Sequence, residues 1–111
     1  MRILGFSKKW GKLKRDEFTT FRYPRKDADK GREWHKDEIV KVVYHPRHEG
    51  EVLGVAQIIS IEPKEWYEVT EWEARADGFD DSVEMWQYLK RPVANEEFNK
   101  LTLKWIEHPV A

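Results

Sequence analysis

Ten cations crowd the first third of this chain: Lys8, Lys9, Lys12, Lys14, Arg15, Arg22, Arg25, Lys26, Lys30 and Arg32. Arginine offers a planar fork of donors matched to phosphates and base edges, and lysine adds a compact point charge. Arg22 with Lys14, Arg15 and Arg25 is therefore a candidate cradle for a phosphate or a base. The alternative is that Arg22 sits in a structural ion pair, with Asp77 as a partner. Thr20 places a hydroxyl on a stretch otherwise rich in Phe, where a ligand contact and a plain cross-strand hydrogen bond are both open. Asp77 precedes Gly78 at a helix end, a position Asp favours for local reasons; facing a cleft, it would serve as an acceptor or general base. Of the six Trp, Trp66, Trp72, Trp86 and Trp105 have helix or strand spacing and read as core. Trp10 and Trp34 lie in basic loops without apolar periodicity, and one of them is the candidate stacking residue, since a stacked base contributes roughly 1–3 kcal/mol.

Other chemistries drop out. With no cysteine among the 111 residues, thiol nucleophiles, disulfide scaffolds, iron–sulfur clusters and cysteine zinc sites are excluded. His45-x-x-His48-Glu49 imitates a metal site but lacks a third ligand at regular spacing and has Pro46 within a turn. There is neither a Gly-rich phosphate loop nor a Ser-centred nucleophile elbow. No metal and no cofactor are expected.

The net charge of −1 conceals an asymmetry: residues 1–50 carry 14 Lys and Arg against 8 Asp and Glu (+6), and residues 51–111 carry 6 against 13 (−7). A basic segment of this kind is the footprint of a phosphate-bearing partner, or else the two halves pair with each other. The 37% charged content, with two Gln, two Asn and no Cys, is the composition of a heat-adapted protein and suggests a thermostable one. The longest apolar run, Val52 to Ile61, is too short to cross a bilayer, and residues 1–6 lack the apolar stretch of a signal peptide. A soluble, cytoplasmic monomer of one domain, residues 1–111, is expected.

These residues need elements to position them. Arg2 to Phe6 reads as a strand, Ser7 to Arg15 as a loop, and Glu17 to Tyr23 as a strand rich in aromatic and β-branched residues. Pro24 ends it, and residues 25–37 form a long polar loop. Ile39 to Tyr44 and Val52 to Ile61 read as a hairpin whose second arm is central and buried on both faces. Lys64 to Ala76 suggests a short helix stopped by Gly78, with Trp66, Val69, Trp72 and Glu73 at roughly helical spacing. Asp81 caps a second helix to Lys90, with Glu84 three residues on and Val83, Trp86 and Leu89 one turn apart. Leu101, Leu103 and Trp105 alternate in a last strand. The order implies an α+β fold, a small mixed barrel of about five strands with flanking helices.

Three segments in this order resemble the ASCH domains of the PUA-like superfamily: Thr20-Phe21-Arg22, matching a Thr-x-Arg signature; the strand Glu38–Tyr44 after the charged turn Lys36-Asp37; and Ala76-Asp77-Gly78-Phe79, matching an Ala…Glu/Asp-Gly-Phe motif. The likeness runs over residues 3–107. It implies a PUA-like mixed β-barrel flanked by helices, a cleft beside it, and binding of RNA or another nucleic-acid ligand there. Some bacterial members resemble amidohydrolases of acylated nucleosides that use a Lys, a Thr and an acidic residue. By position, Thr20 and Asp77 match two of these, whereas Glu17 stands where the Lys falls. A carboxylate cannot replace an amine, so the resemblance leans away from an enzyme.

The expectation is an RNA- or nucleotide-binding domain whose cleft uses Trp10, Lys12, Lys14, Thr20, Arg22, Arg25, Trp34 and Asp77. The rivals are a nucleoside amidohydrolase using Thr20, Asp77 and Lys14, and a protein-interaction module.

Overall fold

A computed structural model describes residues 1–6, 10–22, 34–45, 50–89 and 98–107. Five strands form one mixed sheet: β1 (Arg2–Phe6), β2 (Glu17–Arg22), β3 (Ile39–Tyr44), β4 (Glu51–Lys64) and β5 (Phe98–Glu107). Their order across the sheet is β1-β3-β4-β5-β2. β1 runs parallel to β3, aligning Leu4 with Val42, and the other pairings are antiparallel. Two short helices follow β4, α1 (Glu71–Asp77) and α2 (Ser82–Leu89). The architecture is α+β as expected. The backbone ladder does not join the two edge strands, so the described sheet is open rather than a closed barrel.

Side chains bring those two edges together instead. Arg22 Nη2 on β2 donates to the Gly5 carbonyl on β1 at 2.8 Å, and the Phe6 and Phe18 rings meet edge-on at 6.2 Å. β1 and β2 are joined through residues 7–16, which include a 3-10 turn at Gly11–Lys14. Inside the curl lies the core, with Leu4, Val40, Val42, Ala56, Leu101 and Leu103 wholly buried.

β4 is central, but it is buried on one face only. Ala56 and Ile58 are sealed, while their neighbours Val55, Gln57 and Ile59 are half-exposed. Register shifts at Val55/Ala56 and Ile58/Ser60 mark irregularities that bend it against β5. Gly54 is needed where the strands close up, because a Cβ there would run into the Glu107 carbonyl and the Trp105 ring.

The first helix starts later than its apolar spacing suggests. β4 continues to Lys64, a 3-10 turn covers Trp66–Glu68, and α1 begins after Thr70. Thr70 and Glu73 form a reciprocal capping box. Glu73 also takes Lys64 and Lys100 at 3.0 and 2.8 Å, tying α1 to β4 and β5. Starting the helix there turns Trp72 outward. α1 buries Ala74 and Asp77, and Trp72, two residues before Ala74, points about 200° away. It is 80% exposed, not core. The side chain of Trp66 lies outside the described part.

Asp81 caps α2 as expected, its Oδ1 accepting from the Glu84 N–H at 2.8 Å. Its buried face centres on Met85, with Trp86 and Leu89 packed on the core beside it; Val83, expected on that face, is 62% exposed. Among the described residues no helix is long and apolar enough to cross a membrane.

Candidate functional site

The gap between β1 and β2 holds a cavity of about 250 Å³, walled by Phe6, Trp10, Lys12, Thr20, Arg22 and Asp77 among others. Its position follows from the curl of the described sheet, whose two edge strands face each other there without a ladder.

Lys12 enters it from the 3-10 turn. At three residues per turn, Lys14 lies about 240° around from Lys12, so Lys12 and Leu13 are buried while Gly11 and Lys14 are exposed. Lys12 Nζ sits 3.0 Å from Asp77 Oδ1, and both side chains are almost fully buried, at 2% and 6% exposed. The amine also lies 5.4 Å from the Phe6 ring centre and 5.5 Å from that of Trp10.

Asp77 is the last residue of α1, and Gly78 after it has φ 115°. Glycine adopts that left-handed geometry without penalty. Trp10 packs directly on Gly78, where a Cβ would come within 2.8 Å of the indole. One glycine thus both stops the helix at Asp77 and admits the cavity wall. Trp10 is held edge-on by Phe79 at 5.0 Å and by Tyr88 of α2 at 5.4 Å.

β2 supplies the remaining polar groups. Arg22 Nε donates to Thr20 Oγ1 at 3.2 Å, so the two share a face, as the two-residue strand period requires. The Arg22 guanidinium lies 4.8 Å over the Phe6 ring. Phe21 is buried and packs on Phe98 at 5.4 Å. Thr19, which no motif singled out, donates from Oγ1 to Asp77 Oδ1 at 3.2 Å.

Burial dominates the electrostatics. It pushes the Lys12 amine down to about 8, against the pull of Asp77 and with a further push from Arg22. Burial also raises the Asp77 carboxyl above its usual range, opposed by Lys12, Thr19 and Arg22. Each partner is moved toward its neutral form, which narrows the difference in proton affinity between them. The cavity therefore offers an amine–carboxylate pair, a guanidinium, a hydroxyl and aromatic walls within one small space.

The structure thus brings together Trp10, Lys12, Thr20, Arg22 and Asp77. Lys14 is exposed at the end of its turn. Glu17 is exposed, aligned with Lys104 on β5, and is not a cavity wall. Trp34 is half-buried under the Arg2 guanidinium, 4.5 Å from its ring centre, and is likewise no wall of the cavity. Arg25 lies outside the described residues, as do Lys8, Lys9, Lys26, Lys30, Arg32, His48 and Glu49. Among the described residues no three metal-ligating side chains cluster. Phe79, the last residue of the Ala76–Phe79 motif, is a cavity wall, and so is Tyr88, which had no advance signal beyond its aromatic character.

No protein-family model matches the chain, and neither a curated protein nor a solved structure matches it.

Proposed function

We propose that this protein is an ASCH-type, PUA-like domain that binds a nucleotide-like ligand, free or as one base of an RNA strand, in the cavity between β1 and β2. On this reading the curled sheet is the wall of the family's mixed barrel. A monomer in the cytoplasm, where nucleotides and RNA reside, completes it. The observation that carries the proposal is the buried Lys12–Asp77 pair on the wall of an aromatic-lined cavity. Removing two charges from water costs several kcal/mol per ion, and a binding role gives that cost a purpose. The volume of about 250 Å³ falls just under the range of drug-sized pockets, which suits a single base or sugar. Asp77 and Thr20 suit the polar edge of a base, Arg22 suits an anionic group, and Phe6 and Trp10 suit its faces.

Titration of nucleoside monophosphates, the matching nucleosides and short single-stranded RNA tests this. A monophosphate should bind at roughly micromolar levels and more tightly than its nucleoside, with Arg22→Ala removing that difference. RNA held also by the basic segments should show a steep log–log salt slope, and a mononucleotide a shallow one. If no nucleotide or RNA shifts any Trp indole signal by NMR at low salt, the proposal fails.

One observation favours a second reading, hydrolysis of an amide on an acylated nucleoside. The amine beside Asp77 is that of Lys12, and Thr20 contributes a hydroxyl to the same cavity. Under this reading Thr20 is the nucleophile and the pair moves its proton. Glu17, which stands where the resemblance expects the lysine, is exposed and does not line the cavity. Turnover of acylated cytidine, abolished by Asp77→Ala, would put the enzyme first; absence of turnover would leave the binding role alone.

A further inference from the structure

We propose that Lys12 is a nucleophilic amine that condenses inside the cavity with small aldehydes carrying an anionic group, forming an imine at its Nζ. This goes beyond ligand binding and does not require nucleotide recognition.

Geometry is the basis. The Lys12 side chain is 2% exposed, yet Lys12 forms part of a cavity wall, so a molecule entering the cavity meets this lysine while bulk water is largely kept from its side chain. Asp77 Oδ1 at 3.0 Å stands where a proton acceptor is needed. Phe6 and Trp10 make the surroundings apolar on two sides, which disfavours hydrolysis of an imine once formed. The Arg22 guanidinium lines the same space and provides for an anionic group on the aldehyde. The volume of about 250 Å³ restricts the class to small carbonyl compounds.

The steps balance without any further reactant. The Nζ lone pair attacks the carbonyl carbon, and the C=O π pair moves to oxygen. Asp77 takes a proton from nitrogen and returns it to oxygen, giving a carbinolamine. Asp77 then takes the remaining proton from nitrogen and delivers it to the hydroxyl as the C–O bond breaks, so water leaves and the nitrogen electron pair forms C=N. The net reaction is amine plus aldehyde to imine plus water. Burial adds to this: with its pKa pushed down to about 8, Lys12 holds roughly 300 times more free amine at pH 7 than a lysine at its ordinary value.

The probe is glyoxylate, the smallest carboxylate-bearing aldehyde, with cyanoborohydride to reduce the imine and peptide mapping to assign each lysine. In the wild type at pH 7 and low conversion, Lys12 should be labelled at least about tenfold faster than exposed Lys14, Lys36 or Lys104, the free-amine advantage being partly offset by lower nucleophilicity. Its rate should rise with a midpoint near 8; the other titratable groups on the cavity wall are Asp77, Arg22 and Tyr88. Acetaldehyde, lacking the carboxylate, should show less preference for Lys12. Asp77→Asn should slow Lys12 while leaving the Lys14 rate unchanged. If Lys12 is labelled no faster than the exposed lysines, the proposal is overturned. A failure of nucleotides to bind would leave it untouched.

Discussion

Replacing Lys12 by Met and Asp77 by Asn, singly and together, asks whether the buried pair holds the fold together or is held by the fold. Both side chains are nearly excluded from water and meet at 3.0 Å. The displacement of Lys12 from 10.5 to about 8 means that keeping this amine charged at pH 7 costs the folded state about 3 kcal/mol relative to the unfolded chain. Lys12→Met alone strands the Asp77 carboxylate among Thr19, Arg22 and apolar walls, and breaking a buried pair in this way costs about 3 kcal/mol. The double variant removes both charges, and the amide oxygen introduced by Asp77→Asn still accepts from the Thr19 hydroxyl. It should recover to within about 1 kcal/mol of the wild type, or exceed it. Urea unfolding followed by Trp fluorescence, with a nucleotide titration on each variant, gives both axes. The double variant is expected to be stable and unable to bind. The pH profile supplies a second check. Because the folded-state pKa of Lys12 is depressed, the unfolded chain binds more protons between pH 8 and 10.5, so stability should rise with pH across that window. Lys12→Met should flatten the rise. If the double variant is as unstable as Lys12→Met alone, the pair is structural glue and the reasoning for a binding site built at the expense of stability is refuted.

Glu73 should govern acid stability. Burial alone would raise its carboxyl, but Lys100, the Thr70 N–H and Lys64 hold it at about 2. A depressed carboxyl contributes stability above its unfolded value of 4.5 and loses it as pH falls toward 2. With water screening the exposed side of the cluster, that loss is about 1–2 kcal/mol. Glu73→Gln should remove this slope in acid-titrated urea curves, and an unchanged slope would show the cluster to be inert. Gly78→Ala forces a left-handed φ of 115° on a residue with a Cβ and drives that Cβ against Trp10. A loss of about 2 kcal/mol is expected, with weakened ligand binding as the indole shifts; an unchanged urea midpoint and affinity would contradict the role given to Gly78.

Much of the fold was legible in local pattern. Ile39–Tyr44 matches its strand residue for residue, β1 coincides with Arg2–Phe6, and β2 matches over Glu17–Arg22, Tyr23 lying outside the described residues. Asp81 and Gly78 mark helix ends by capping chemistry that acts within four residues. The common face of Thr20 and Arg22 follows from strand period alone. What local pattern does not contain is the identity of the group across a gap. Lys12 is one cation among ten in its stretch of chain, and nothing in its neighbours marks it as the partner of Asp77. That pairing arises because the 3-10 turn directs one lysine inward and the curl of the sheet brings its two edge strands, β1 and β2, together. The same limit explains Trp72, whose spacing suits a buried face that the late helix start rotates into water. It also explains the openness of the sheet, since strand count is a property of the chain while closure depends on which edges meet. Periodicity reports which side of an element is apolar; only the packed chain decides what that side meets, because contacts between distant segments depend on the path of everything between them.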